Sequence, residues 1–298
     1  MNGSRPNLVF VRVGAKSLHR EWLEEPGQRN WDLQLSQYDD DPEIGRGGDL
    51  PLSKDKGTKW DSIYRYLAND PGLLDRYRYI AFMDDDIVFT KRDLNRYFEI
   101  CEENELLLAQ PSLHPDSHVC YPILLQCPFT KLRYTNFVEC MATAIRTDYL
   151  RTFLPHMESV VSGWGMDRIW TGTMPDPEFR SAVIDEISMI HTRPHATGAV
   201  YDAFDDQQIS PKQEMERLLS SYDGVPDRML AYGAMSKTGR RLNATMTQAL
   251  NGISLMVNAL RYRNCGRAFK SGAAMMARAV TLARYQPQPI RKILPEGA

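Results

Sequence analysis

The sequence predicts an α/β fold: a mostly parallel sheet flanked by helices, followed by a C-terminal helical extension. Three observations lead there. Short apolar or β-branched runs alternate with segments of helical periodicity. A chain of 298 residues, 43% hydrophobic and 25% charged, can bury one large core, or one core with a smaller appendage. The charge is also divided. Residues 237–298 hold eleven Lys/Arg and one acid, Glu296, whereas 1–236 hold 25 basic and 37 acidic residues. Two regions with different electrostatic roles are therefore expected, with a boundary near 236.

In chain order, NLVFVRVG (7–14) predicts a first buried strand ending at Gly14, and LHREWLEE a helix. WDLQLSQYDDD (31–41) alternates as a second strand and closes in acids. GTKWDSIYRYLAND (57–70) places Trp60, Ile63, Tyr64 and Leu67 at helical spacing, with Thr58 as a cap. YRYIAFM (77–83) predicts a third strand, KRDLNRYFEICEEN (91–104) a helix, and ELLLAQPSL (105–113) a fourth strand. TNFVECMATAIRTDYLRTFL (135–154) passes from strand to helix, and SGWGMDRIWTG (162–172) is a Gly/Trp-rich loop leading into a short helix. SAVIDEISMIHTRP (181–194) is a late strand stopped by proline. The polar stretch 202–228 reads as a linker or flap, and Leu242–Tyr285 as helical. Strands alternating with helices give an α/β domain.

Five cysteines, odd in number and without CxxC spacing, suggest reduced thiols. No basic-then-apolar leader opens the chain, and no apolar run approaches membrane-spanning length, so a cytoplasmic protein is expected.

FMDDDIVF holds the first chemical signal. Asp84, Asp85 and Asp86 follow an apolar strand, with no Lys or Arg inside the stretch to offset their mutual repulsion. Ligands of open α/β sheets bind beyond the carboxyl ends of strands. Asp84 and Asp86, two apart, would face one way, and such hard oxygen donors suit Mg²⁺ or Mn²⁺. Relief of that repulsion would leave the metal-free fold slightly more stable on loss of Asp86. The competing reading is a solvated acidic turn before the 91–104 helix. His191 ends a strand and is either a further ligand or an ordinary backbone-bonded histidine. In GWGMD, glycines flank Trp164, whose face suits a sugar ring, and Asp167 stands where a general base would. Equally, Trp164 could anchor a turn, with Asp167 as a helix-start acid.

Together these segments resemble a known family. FMDDDIVF is similar to the DxD motif of GT-A-fold glycosyltransferases that use nucleotide sugars, SGWGMDRIW to the WGWG-plus-acid segment of inverting members, and IDEISMIHTRP to their late strand with a metal-binding histidine. Through TNFVE and GWG-x-D, the wording comes closest to the uncharacterised DUF707 family. The resemblance implies a GT-A-like (Rossmann-like) fold and a hexosyltransferase-like enzyme of polysaccharide biosynthesis. It would move sugar from a nucleotide-sugar donor to a glycan or lipid-linked glycan. It implies Mn²⁺ or Mg²⁺ held by Asp84, Asp86 and His191, and Asp167 as the base of an inverting transfer. Donor contacts would come from Val13, Gly14, Asp40, Lys59, Asp84 and Asp85, and acceptor contacts from Glu139, Trp164 and Gly165. One acid follows GWG here where the better-known motif has two, which leaves the base and the stereochemistry open.

Two other classes compete. DDDIV also fits the nucleophile motif of haloacid-dehalogenase-type phosphatases, although that motif belongs on a first strand and FDDQQ (204–208) lacks a preceding strand. A non-catalytic carbohydrate- or membrane-binding protein is the other. The basic segment 237–298 has two readings, an amphipathic surface for anionic membranes or helices packed on the acidic domain. Nucleic-acid binding is not expected, because aromatics are sparse among the basic residues.

Overall fold

The computed structural model describes residues 5–41, 43–158, 160–194, 204 and 209–293. Its strands are β1 (Asn7–Val13), β2 (Trp31–Gln37), β3 (Ser53–Lys54), β4 (Tyr79–Met83), β5 (Ile87–Val88), β6 (Leu108–Leu113) and β7 (Thr130–Thr135). They continue with β8 (Ala142–Arg146), β9 (Ser181–His191), β10 (Tyr222–Asp223), β11 (Ala231–Ser236), β12 (Arg241–Leu242) and β13 (Arg291–Lys292). The main sheet runs β12-β11-β7-β9-β6-β8-β4-β1-β2-β3, with β5 paired to the end of β9. β3, β2, β1 and β4 are mutually parallel, as are β6 and β9. Along that path β8, β7 and β12 run against the rest, so the sheet is mixed but mostly unidirectional.

This order creates a switch point. The chain moves from β1 to β2 and β3 on one side, then returns to β4 on the other side of β1. The carboxyl ends of β1 and β4 therefore flank a crevice, the usual ligand position in such sheets. Val13 and Gly14 end one strand, and the three aspartates follow the other.

Alternation along the strands divides the core between the two faces of the sheet. Val9, Val11 and Val13 join one cluster with Leu33, Met83, Leu94 and Tyr97, while Leu8 and Phe10 join another with Trp60, Phe82, Phe153 and Trp170. Helix Lys91–Glu103 covers the first face, and helices Lys59–Asn69 and Thr147–Met157 the second. Trp60, Ile63 and Leu67 are buried as their spacing predicts. Thr58 does not cap by its side chain; its hydroxyl donates to the Val161 carbonyl. β2 is buried along its whole length rather than on one face. Its polar residues are accommodated by partners: Asp32 pairs with Arg5 at 2.6 Å, and Gln34 accepts from Tyr66 at 2.6 Å.

The sequence gives no clear signal for β7 or β11, which are short and partly polar. β7 contains Arg133, wholly buried against Asp185 at 2.8 Å. That carboxylate also accepts from Thr130 Oγ1 and from the Cys127 amide. In the stretch 202–228, described in part, helix Pro211–Ser220 and β10 replace the expected linker; of FDDQQ, Asp205 and Asp206 lie outside the described residues.

Beyond 236, helices Ala244–Val257 and Cys265–Arg278 form a hairpin that packs beside β11. Gln248 donates to the Ala231 carbonyl, and Leu255, Tyr262, Ala268 and Met275 join the first core cluster. The two helix backbones nearly touch: a Cβ on Gly252 would stand 2.7 Å from the Gly272 carbonyl oxygen. Among the described residues, no helix is long and apolar enough to cross a membrane.

Candidate active site

Each of the three aspartates meets a cation from a distant part of the chain. Lys59 Nζ lies 2.6 Å from Asp84, Arg193 Nη1 2.8 Å from Asp85, and His191 Nε2 3.3 Å from Asp86. The sequence showed no basic residue within the stretch to offset the repulsion among them; the fold supplies three from elsewhere. Local sequence could not show partners brought in by β9 and by a helix start. Removing Asp86 would accordingly strand a cation rather than relieve a repulsion.

The three carboxylates differ in environment. Burial holds Asp84 above the usual carboxylate range despite the pull of Lys59, with Asp86 adding to the rise. Burial likewise raises Asp85, against Arg193 and a hydrogen bond from Tyr38. For Asp86 burial acts upward too, but the hydrogen bond and charge of His191 outweigh it and hold the carboxyl low. His191 responds in kind: burial opposes its charged form, yet Asp86 raises it to about 9. Its other nitrogen, Nδ1, lies 3.1 Å from the His118 carbonyl oxygen, which fixes the ring. One ligand atom each from Asp84, Asp86 and His191 fall within 4.8 Å of one another. Two carboxylates and an oriented imidazole are a donor set that one divalent ion can share.

The turn Glu139–Met141 joins this cluster to the glycine-tryptophan loop. The Asp84 amide donates to the Met141 carbonyl at 2.7 Å, Lys59 Nζ to the Cys140 carbonyl at 2.8 Å, and Cys140 Sγ reaches the Gly163 carbonyl at 3.6 Å. Gly163 and Gly165 both have left-handed backbone, φ 82° and 93°, as the flanking glycines of GWG suggest. Gly163 is also pressed against the core, for a Cβ there would lie 2.0 Å from Trp60 Cδ1. Half-buried Trp164 stands between the two glycines, its amide donating to Ser162 Oγ, and Gly165 opens the short helix Met166–Ile169 that carries Asp167.

Two further acids are tuned toward neutrality. Burial lifts Asp167 to about 7, against the opposing charge of Arg168. Glu139 rises to about 8, chiefly by burial and then by the nearby Asp167 charge, with Asp84 adding a smaller push. Glu139 Oε2 is buried without a hydrogen-bond partner among the described residues.

Lys59 and Glu139 are thus brought to the aspartates, Asp167 lies near Glu139, and Trp164 and Gly165 stand in the adjoining turn, with Met215 and Leu218 where a Gly165 side chain would be. Val13 and Gly14 close β1 beside them, with the Tyr38 ring where a Gly14 side chain would stand. Asp40 is placed differently: it is exposed and paired with Lys56 at 2.7 Å. Two positioning residues escaped the sequence reading. Arg193 binds Asp85 and the Lys16 carbonyl, joining the loop after β1 to the end of β9; the HTRP stop, two residues past His191, was its only signal. Glu214 is buried and accepts from the amides of Val161 and Ser162 and from the Ser162 hydroxyl, clamping the approach to Gly163. It lies in the stretch read as a linker, where nothing local marks it.

Residues 48–133 match DUF707, a protein family of unknown function. The matched stretch contains Lys59 and the three aspartates; Glu139, the GWGMD turn and His191 lie beyond it. No curated protein matches the chain. Among solved structures, S. aureus TarS 1-349 in complex with UDP-GlcNAc aligns over 92% of this chain and 81% of its own, at 10% identity and a TM-score of 0.49. The same protein with UDP aligns over 93% and 83%, at 10% identity and a TM-score of 0.44. A putative nucleotide-diphospho-sugar transferase from Desulfovibrio desulfuricans G20 aligns over 52% of this chain and 69% of its own, at 10% identity and a TM-score of 0.33.

Proposed function

We propose that this protein is a metal-dependent glycosyltransferase of GT-A type, moving sugar from a nucleotide-sugar donor to a glycan or lipid-linked glycan. The observation that carries the reading is the convergence of Asp84, Asp86 and His191 at the β1/β4 switch point, beside two acids tuned toward neutral pH. Asp84, Asp86 and His191 would hold the cation, and the imidazole among two carboxylates favours Mn²⁺ over Mg²⁺. When bound, such an ion supplies positive charge to neutralise a leaving diphosphate.

The chain's own residues supply the remainder. Lys59 and Arg193 keep the acidic cluster compact before a donor arrives. Asp167, raised to about 7, accepts the proton of an acceptor hydroxyl whose oxygen bonds to the anomeric carbon from the face opposite the diphosphate, and because the carbon–diphosphate bond breaks on the other side the transfer inverts. Glu139, near 8, is mostly protonated at neutral pH and donates a hydrogen bond to the acceptor. Trp164 would offer its face to a sugar ring, while Gly165, packed against Met215 and Leu218, supplies the left-handed turn that carries it.

The test is calorimetry of UDP, GDP, CMP and dTDP with and without Mn²⁺, on the wild-type protein and on Asp86→Ala. Metal-dependent binding of one diphosphate, lost in the variant, is expected. Wild-type protein that binds none of them with Mn²⁺, or a variant that binds as well as wild type, would overturn the reading.

A further inference from the structure

Helix Ala244–Val257 is built inside out. It buries Thr247, Gln248, Asn251 and Ser254, and leaves Met246, Ile253 and Val257 in solvent. Surface helices ordinarily do the reverse. Gln248 donates to the Ala231 carbonyl, but both polar side-chain atoms of Asn251 are buried without a partner among the described residues, so hydrogen bonding accounts for only part of the inward polar face. The apolar face therefore needs an explanation from outside the fold.

The second helix repeats the pattern. Met246, Ile253 and Val257 are spaced i, i+7, i+11 on one face of the first helix; exposed Phe269 and Met276 stand seven apart on the second, with exposed Val280 just past its end. The side chain of Met276 lies against Gly252, so the second stripe borders the first helix at their crossing. Between them the turn presents Leu260, 93% exposed, next to Val257 at 77%. Seven of the ten exposed large hydrophobic residues described in the chain fall in this hairpin, far more than scattered surface residues would give.

Charge selects the occupant. From Asn243 to Arg284 there are six basic residues and no acid. A second copy of the hairpin would bring six like charges against six. Nucleic acid would match the arginines but leave the apolar side chains without a partner. An anionic bilayer matches both, with headgroups for Arg261, Arg263, Arg267 and Lys270 and acyl chains for Leu260, Val257 and Phe269. We propose that the C-terminal hairpin docks flat on an anionic lipid surface, inserting the Val257–Leu260 turn below the headgroups. The proposal goes beyond the transferase reading and stands or falls separately from it.

The experiment is co-sedimentation of the full-length protein with vesicles of phosphatidylcholine, alone or mixed with phosphatidylglycerol. Binding to the mixed vesicles at low salt is expected, weakening as salt rises. Val257→Glu with Leu260→Glu should abolish it, and Arg261→Glu with Arg267→Glu should weaken it at least about fivefold per charge removed. Leu260→Ser alone, at the most exposed position, serves if the double variant does not fold. Nucleotide binding measured on the same preparations reports the other site independently. Absence of binding to mixed vesicles at low salt would overturn the proposal. So would binding indifferent to Leu260, or a concentration-dependent dimer that the Val257→Glu/Leu260→Glu variant dissolves.

Discussion

Lys59 Nζ lies 2.6 Å from Asp84 Oδ1, and the same ammonium donates to the carbonyl of Cys140. A cation from the first turn of a helix thus occupies a carboxylate that belongs to the candidate metal site. Binding of a metal and retention of this ion pair compete for one anion.

That competition is measurable. Lys59→Met leaves a mostly buried carboxylate unpaired and should lower stability by about 1–3 kcal/mol. Added Mn²⁺ then replaces the lost positive charge, so the variant should show a larger metal-induced rise in melting temperature than wild type. Differential scanning fluorimetry with a Mn²⁺ titration checks this, and equal shifts in the two proteins would exclude competition.

Asp86→Ala removes both a ligand and the partner of His191. It should abolish metal-dependent nucleotide binding and also lower stability by about 1–3 kcal/mol, because the imidazole loses a charge-assisted hydrogen bond. Urea denaturation without metal gives the second quantity. A variant as stable as wild type would mean that relief of the acid repulsion fully offsets the lost pairing, and a more stable one that it outweighs it.

Asp167 ties activity to pH in one direction. As a base it must be ionised, so turnover should rise with pH through about 7 while donor binding changes little. Asp167→Asn should lower turnover by roughly 10²–10⁴ with donor binding intact. Stability moves the other way. A carboxyl whose folded pKa is raised costs nothing below its unfolded value; the cost accumulates as pH climbs from the unfolded value to the folded one and is complete above it. Asp167→Asn should therefore leave stability at pH ~4 nearly unchanged and add up to about 4 kcal/mol at neutral pH and above. A flat stability difference across that range would refute the raised pKa.

The turn before Asp167 depends on Gly163 and Glu214. Gly163→Ala faces both a left-handed φ and the Trp60 ring, and should cost about 2–4 kcal/mol. Glu214→Ala leaves the Val161 and Ser162 amides without an acceptor. It should reduce kcat more than donor affinity, since it loosens Asp167 and not the aspartate cluster. Equal losses of both would place Glu214 outside this role.

Sequence by itself determined the elements that a local period or a special backbone requires. Trp60, Ile63 and Leu67 at helical spacing, the apolar run before Asp84 and the glycines around Trp164 each record their environment within a few residues. The α/β class was legible for that reason, whereas Asp84, Asp86 and His191 were joined as one set only through the resemblance of their segments to a known family. Tertiary structure alone decided what stands opposite them. Lys59 and Arg193 reach the aspartates across 25 and 108 residues of chain, and Glu214 reaches Ser162 across 52. Such partners are chosen by strand order and helix docking, and pairing at long range leaves no period in the sequence to read. The inverted face of Ala244–Val257 has the same origin: composition showed an apolar, basic segment, but which side meets β11 and which meets the second helix is set by contacts such as Gln248–Ala231 and Gly252–Gly272.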